Sequence, residues 1–175
     1  MALQDASLHG SDKIANSTVN QCFNDMIEKT NLDCSVGVMN LIGHQTMVNR
    51  GNELGLAHTT FASDRTATSA SDQMLFLNKL YKSLVAPTAG GSRILSTMQN
   101  TRMRDGIPAG IAKGTVSNLA GEGSTVHNDT AVVYSPKGTY ILVILSEGSS
   151  RDNIADLTRK VEALHQVLPP KPKNG

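Results

Sequence analysis

The sequence of 175 residues predicts an α+β fold: a helical lobe, then a small antiparallel sheet of about three strands, and finally a C-terminal covering helix. Three observations predict this order. Apolar residues recur at helical spacing in the first half, two apolar runs flank a turn signal in the second half, and a capped amphipathic segment follows them. We expect one domain over residues 1–112, a second over 113–168, and an exposed tail over 169–175.

The first half is predicted to be mostly helical. Thr18 and Gln21 have the spacing of a capping box, in which two side chains satisfy the free amides of a helix start. Glycines and proline mark the predicted helix ends. In order, we expect helices from Thr18, over Cys34–Ile42 and over Gln45–Leu54, a polar loop over Thr59–Ser71, a helix from Ser71 that ends at Pro87 and the Gly90-Gly91 pair, and a short helix from Ser92 to about Met103.

The second half is predicted to form the sheet. Thr125–Tyr134 and Tyr140–Leu145 are predicted strands joined by a turn at Ser135–Gly138, and Thr115–Ala120 is a weaker third strand. The continuous apolar run Tyr140–Leu145 is typical of a central strand that is covered on both faces. A helix capped by the segment Ser149–Asp152 follows. Its predicted inner face consists of Ile154, Leu157, Val161, Leu164 and Leu168.

Composition limits which partners and which cellular compartments we expect for this protein. A formal net charge of +1, with only three Phe, three Tyr and no Trp, favours neither nucleic acid nor an anionic membrane as a partner. No stretch approaches the ~20 apolar residues of a membrane span, and the first residues lack the apolar core of a signal peptide. We therefore expect a cytoplasmic protein if Met1 is the natural start, and an extracytoplasmic one if the chain is a piece of a secreted precursor.

The cysteines and histidines do not predict a metal site or a cofactor. Cys22 and Cys34 stand twelve residues apart on adjacent predicted helices, so they are either two buried apolar side chains or a disulfide that needs an oxidising compartment. None of the five histidines has metal-ligand spacing on one helix. We interpret them as surface or hydrogen-bonding residues.

Three long segments resemble the class A β-lactamase and penicillin-binding serine-hydrolase family. The segments are TVNQCFNDMIEKTNLDCSVGVMNLIG (18–43), RDGIPAGIAKGTVSNLAGEG (104–123) and HNDTAVVYSPKGTYILVILSEG (127–148). They follow one another in the order of the family's helix pair, Lys-Thr-Gly strand and final hairpin. The resemblance extends over roughly Thr18 to Leu168 and implies a β-lactamase/transpeptidase-like fold.

The motifs of the family's chemistry are absent or replaced. The family's nucleophile is the Ser of a Ser-x-x-Lys motif, and in this sequence no Ser has Lys three residues later. Thr30, Asn31 and Leu32 occupy the Ser-Asp-Asn position, and Leu119, Ala120 and Gly121 occupy the Lys-Thr-Gly position. The loop Thr59–Ser71 has no Glu to act as the deacylation base, and we assign no such role to Asp64.

These replacements predict a non-catalytic relative in which no catalytic motif is intact. Thr30, Gly121 and Glu122 are the weak candidates for ligand binding. The alternative is a β-lactam hydrolase or D-Ala-D-Ala peptidase-type enzyme whose nucleophile segment comes from a longer natural chain or a partner, with a β-lactam or peptidoglycan peptide as substrate. An unrelated α+β interaction domain is a third possibility.

The resemblance also predicts a partner. The family's nucleophile helix is buried, and a chain without it would expose more apolar surface than the net stability of one domain can offset. We therefore expect a homo-oligomer, or a second chain that fills the missing layer.

Overall fold

The computed structural model describes residues 9–14, 16–61, 66–83 and 88–169. The sequence predictions for Asp64, for Pro87 and for the tail beyond Pro169 lie outside these residues. The chain divides into two compact units, Met1–Arg102 and Met103–Gly175. The predicted domain boundary between residues 112 and 113 stays a prediction.

The first unit is helical, as the sequence predicts. Thr18 caps its first helix by accepting a hydrogen bond from the Gln21 amide at 3.2 Å, which confirms the predicted start. One small antiparallel strand pair precedes the first helix, and another lies between the third and fourth helices. In chain order the elements are β1 (Lys13–Ile14), β2 (Ser17–Thr18), α1 (Val19–Glu28), α2 (Leu32–Ile42), α3 (His44–Glu53), β3 (Thr60–Phe61), β4 (Thr66–Ala67), α4 (Ala70–Tyr81), α5 (Thr88–Thr97) and a 3₁₀ turn (Met98–Asn100).

The glycine pair Gly90-Gly91 lies inside α5, so the prediction that it ends a helix is wrong. A Cβ atom at Gly91 would lie 3.4 Å from the carbonyl oxygen of Leu80, near the end of α4. The absence of a side chain therefore permits a close approach between the two helices. This tertiary contact outweighs the low helix propensity of glycine.

A disulfide between Cys22 and Cys34 joins α1 to α2. Both cysteines are buried together with Ile14 and Val19 in the small apolar core of this unit. Of the two interpretations that the sequence left open, the structure shows the disulfide. The covalent link and the core together hold the α1–α2 hairpin.

The second unit carries the antiparallel sheet and its covering helix. A 3₁₀ turn (Ile107–Gly110) leads into β5 (Thr115–Glu122), β6 (Val126–Ser135), β7 (Gly138–Glu147) and α6 (Arg151–Val167). The strands pair antiparallel in the order β5-β6-β7. The predicted α+β class, with three strands and a C-terminal helix, is confirmed.

The central strand is β6, so the prediction that Tyr140–Leu145 forms the central strand is wrong. Residues Asp129–Val133 of β6 are buried, whereas every residue of β7 is at least partly exposed. The core of the unit consists of Ile107, Val116, Ala131, Val133 and Ile154, with Tyr140, Leu142 and Ile144 of β7 packed against it. The apolar run therefore belongs to an edge strand of the sheet that the described residues form.

Helix α6 begins at its predicted cap, and Ile154 of its predicted inner face is buried, but the packed face is rotated away from most of the other predicted residues. Ser150 Oγ accepts a hydrogen bond from the Asn153 amide, and Ile154, Ala155 and Thr158 are buried. The predicted inner residues Leu157, Leu164 and Leu168 are exposed. Gly110 explains the rotation, because a Cβ atom there would lie 2.5 Å from Cβ of Thr158. Among the described residues, no helix is long and apolar enough to span a membrane.

Candidate functional site

The turn between α1 and α2 leads into the residues Thr30, Asn31 and Leu32, for which the sequence resemblance predicts the family's Ser-Asp-Asn position. Thr30 has a φ of +54°, in the left-handed region that β-branched residues rarely adopt. Asn31 caps α2, because its side-chain oxygen accepts a hydrogen bond from the Cys34 amide at 2.9 Å. The helix therefore begins two residues before the predicted Cys34. The disulfide bonds that same Cys34 to α1, so the turn is held at the cap and by the covalent link.

Leu32 follows in this turn and is 73% exposed. Its side chain has no hydrogen-bonding atom, so it offers a substrate amide no bond. The Asn31 side-chain oxygen already satisfies a helix amide, and the Asn31 carbonyl accepts a further bond from Ser35 Oγ. The side chain and the carbonyl of Asn31 therefore stabilise the start of α2.

Strand β5 contains Leu119-Ala120-Gly121, for which the sequence resemblance predicts the family's Lys-Thr-Gly position. Leu119 is 40% exposed, Ala120 is buried, and a Cβ atom at Gly121 would have no neighbour within 4 Å. This stretch therefore lies at the sheet edge and presents an apolar side chain and a bare backbone. It contains neither a cation nor a hydroxyl that would bind a carboxylate.

Glu122, the third weak ligand candidate, pairs with His127 across the hairpin between β5 and β6. His127 Nδ1 lies 3.4 Å from Glu122 Oε1, and the Glu122 side chain is half exposed. A carboxylate beside an imidazole can exchange protons or orient a bound polar group. The sequence contained a signal for this pair, since a short Gly-containing turn places the two residues opposite each other.

Behind the β5 motif lies a buried polar network centred on Asp129 and Asn118, both 0% exposed. Asp129 Oδ2 accepts a bond from the Ile107 amide at 2.8 Å, and its Oδ1 accepts one from Asn118 Nδ2 at 3.0 Å. Arg104 donates to the Asn118 side-chain oxygen and to the Val116 carbonyl, each at 2.9 Å. The network thus ties β5 and β6 to the segment that precedes them.

The charge of Asp129 is compensated by several groups. Burial raises the pKa of Asp129, and the hydrogen bonds from Asn118 and Ile107 and the charge of Arg151 oppose that rise. Arg151 Nη1 lies 4.0 Å from Asp129 Oδ2. A Cβ atom at Gly106 would lie only 2.4 Å from the same oxygen, so glycine is required there. The cluster is a structural support for β5.

The charged residues that cluster in the sequence at 102–105 separate in the structure. Arg104 joins the Asn118 network, whereas Asp105 Oδ1 lies 3.7 Å from Arg151 Nε. The Arg102 amide donates to the Glu28 carbonyl in the first unit. Sequence reasoning missed Asn118, Asp129 and Arg151 as members of one cluster. The available signal was the presence of two polar residues, Asn118 and Asp129, within predicted strands.

Asp72, at the start of α4, is the buried acid of the first unit. Its Oδ2 accepts bonds from the His58 amide at 2.8 Å and from Thr59 Oγ1 at 2.7 Å, and His58 Nδ1 lies 3.6 Å from Oδ1. The carboxylate thus attaches the segment before β3 to the start of α4. Among the described residues, no group of three or more His, Cys, Asp or Glu is placed to hold a metal ion.

The comparisons with known proteins agree with this architecture. A family model described as the beta-lactamase enzyme family (Beta-lactamase2) matches residues 5–166. No curated protein matches the sequence. The family match rules out the third possibility considered above, an unrelated α+β domain.

Solved structures share the fold at low sequence identity. A β-lactamase from Sphaerobacter thermophilus DSM 20745 superposes with a TM-score of 0.81 at 16% identity, over 88% of this chain and 65% of its own. PBP-A superposes with a TM-score of 0.80 at 19% identity, over 87% of this chain and 63% of its own. A mutant of PBP-A with the same values is an acyl-enzyme complex with penicillin G.

A mutant of the class A β-lactamase of the last common ancestor of Gram-negative bacteria gives a TM-score of 0.78 at 18% identity, over 87% of this chain and 67% of its own. This chain therefore spans less than two thirds of the length of the first two structures. At these identities the superpositions show the fold alone, whereas the family model matches most of the sequence. The chain belongs to the beta-lactamase enzyme family.

Proposed function

We propose that this chain is a non-catalytic member of the family. It serves in ligand binding or in assembly, and it is not acylated by β-lactams. One observation carries the proposal: Leu119-Ala120-Gly121, which the resemblance aligns with the family's Lys-Thr-Gly, lies on β5 with Leu119 40% exposed, and none of the three side chains supplies a cation or a hydroxyl. A β-lactam carboxylate would lose its charge-assisted hydrogen bonds there.

Two further replacements support the proposal. Leu32 stands at the end of the Ser-Asp-Asn position and offers no hydrogen bond, and the Asn31 side chain caps α2. No Ser of this sequence has Lys three residues later, so no serine has the family's activating partner. Without a nucleophile and its base, a serine hydrolase keeps only binding and residual electrostatic stabilisation.

A second candidate function is favoured by the coverage of the relatives. The chain spans 65% of the Sphaerobacter thermophilus β-lactamase and 63% of PBP-A. In this second candidate, a longer natural chain or a partner supplies the nucleophile segment. The complete protein or complex then hydrolyses a β-lactam or a peptidoglycan peptide. Leu119 and Leu32 cannot make polar contacts with a substrate, so other residues would have to make those contacts.

Incubation with a fluorescent penicillin, followed by intact-mass spectrometry, tests the first candidate. We expect no mass increase on this chain and no turnover of a chromogenic cephalosporin, because no activated serine is available. PBP-A treated in parallel is the positive control, since one of its mutants forms an acyl-enzyme with penicillin G. A penicilloyl group on any serine of this chain would contradict the proposal.

The same assay distinguishes the second candidate function from the first. The chain is expressed together with the natural coding sequence that precedes it in the genome, and labelling is repeated. An adduct that appears only in the longer product, on a serine outside these 175 residues, would establish the second candidate. No adduct in either product would leave the non-catalytic proposal standing.

A further inference from the structure

We propose that the turn between α1 and α2 is a redox-sensitive element, whose conformation is set by the disulfide between Cys22 and Cys34. With the bond formed, Thr30 is held in the left-handed region. With the bond reduced, α2 shifts relative to α1 and Thr30 relaxes. This inference goes beyond the proposed function and does not depend on whether the chain is acylated. It concerns the turn that contains Thr30, one of the weak candidates for ligand binding.

Hydrogen bonds hold both sides of this turn. The Asn31 amide donates to the Asp25 carbonyl of α1 at 3.1 Å, and the Asn31 side-chain oxygen accepts a bond from the Cys34 amide of α2 at 2.9 Å. Cys34 is therefore both the residue whose amide is capped and the residue whose sulfur is bonded to α1. The cap and the disulfide together fix the start of α2 relative to α1.

Thr30 adopts a backbone conformation that its own side chain disfavours. Its φ of +54° lies in the left-handed region, where a β-branched residue is a genuine outlier. Such a conformation persists only where the surrounding structure over-determines it. Thr30 lies inside the loop that the disulfide closes, so the covalent bond is the strongest restraint on the turn. Without that bond the two helices can move apart, and Thr30 returns to a region that it prefers.

Reduction of the disulfide requires a dithiol, such as dithiothreitol or a protein of the thioredoxin class. The dithiol supplies two electrons and two protons: the S–S bond breaks, Cys22 and Cys34 each become a thiol, and the reductant closes its own disulfide. Cys22 is 1% exposed and Cys34 is 6% exposed, so a thiolate reaches neither sulfur until α1 and α2 separate. The state of the bond is therefore set while the chain folds. We expect the turn seen in the structure only after folding in an oxidising compartment.

A comparison of Thr30→Asn in the two redox states tests the proposal. The full chain is folded with oxidised glutathione or with dithiothreitol, maleimide labelling verifies the thiol count, and urea denaturation gives the folding equilibrium constant. In the oxidised chain Thr30→Asn should raise that constant about fivefold, because asparagine adopts left-handed conformations readily. In the reduced chain the gain should fall below about twofold, because the strain is already relieved. Cys22→Ala combined with Cys34→Ala should reproduce the reduced result without a reductant.

Thr46→Asn is the matched control, because Thr46 is an exposed threonine inside α3 that the disulfide loop does not enclose. Its effect should be the same in the oxidised and the reduced chain. An equal gain from Thr30→Asn in both redox states would overturn the proposal, since the disulfide would then stabilise the unit without setting the turn.

Amide hydrogen exchange covers the case in which the reduced chain is too unstable for that comparison. We expect reduction to accelerate exchange at the amides of Asn31 and Cys34 roughly tenfold more than at the amide of Leu80, which is buried in α4 of the same unit. Equal acceleration at all three amides would overturn the proposal. It would show that reduction loosens the whole unit and has no specific effect on the turn.

Discussion

At the scale of single residues, Thr30 is a source of strain in the α1–α2 turn. A β-branched residue at a φ of +54° is held there against its own preference, at a cost of about 1–3 kcal/mol. Asparagine adopts this region much more readily. We therefore expect Thr30→Asn to raise the free energy of unfolding by about 1 kcal/mol, measured by urea denaturation.

Thr46 provides the comparison for that substitution. It is an exposed threonine inside α3, where threonine and asparagine have similar helix propensities. Thr46→Asn should therefore change stability by only a few tenths of a kcal/mol. Equal effects at positions 30 and 46 would show that backbone strain at Thr30 contributes nothing.

Some residue-level features could be predicted from the sequence, and others could not. The caps at Thr18 and Ser150 were predictable because a capping side chain bonds an amide only three residues away. The Asp129–Asn118–Arg151 cluster was not, because its members meet only after β5, β6 and α6 have packed. Similarly, the resemblance to the family identified Leu119 and Leu32 as replacements, but their exposure depends on the folded surface.

At the scale of elements, Glu162 attaches α6 to the β6–β7 hairpin. Its carboxylate accepts hydrogen bonds from Tyr140 Oη at 2.6 Å and from Ser135 Oγ at 2.7 Å. Burial raises the pKa of Glu162, but these bonds, together with those from Gln166 and the charge of His165, outweigh that effect and hold the pKa below its ordinary value.

The lowered pKa sets the direction of the pH dependence. A carboxyl whose pKa is depressed by folding contributes its full stability above its ordinary value of 4.5, and loses it as the pH falls through the folded-state pKa. We expect Glu162→Gln to be less stable than the parent at pH 7, with the difference shrinking toward acid pH. Thermal unfolding at several pH values measures this difference.

Asp129 titrates in the opposite sense, because burial raises its pKa. It is common to both proteins, so its effect cancels when the parent and Glu162→Gln are compared at each pH. A difference that stays constant from pH 7 to pH 3 would show that the charge of Glu162 does not stabilise the α6 contact.

The order of the strands shows where element-level prediction failed. A continuous apolar run predicts a strand covered on both faces, and Tyr140–Leu145 fits that pattern better than Asp129–Val133. The structure nevertheless places β6 in the centre and β7 at the edge. The run predicted the presence and direction of β7 correctly. Which strand stands at the edge depends on how the strands pair, and periodicity within one strand does not report that pairing.

At the scale of the whole molecule, the fold was predictable because several segments match the family in order, and the family match over residues 5–166 confirms it. The division into two compact units after Arg102 was less predictable. The predicted boundary after residue 112 stays a prediction; in the structure the Ile107–Gly110 turn packs on α6, and the Ile107 amide donates a hydrogen bond to Asp129. These contacts are distant in sequence and leave no local signal.

The two units have their own cores, and this organisation predicts how substitutions combine. Replacing both cysteines by alanine removes a link with a sequence separation of 12, at a cost of about 2–4 kcal/mol in the first unit. Glu162→Gln weakens only the second unit. Because the two sites share no bonding partner among the described residues, their losses in urea denaturation should add to within about 0.5 kcal/mol.

A coupled pair serves as the reference for that additivity. Tyr140→Phe removes the hydroxyl that donates to Glu162, and Glu162→Gln removes the charge that strengthens this same hydrogen bond. Their combined loss should fall short of the sum of the single losses by 0.5 kcal/mol or more, roughly the lower bound for residues in contact. If the cysteine and Glu162 substitutions depart from additivity as much as this pair, the stabilities of the two units are coupled. Their cores would then not unfold independently.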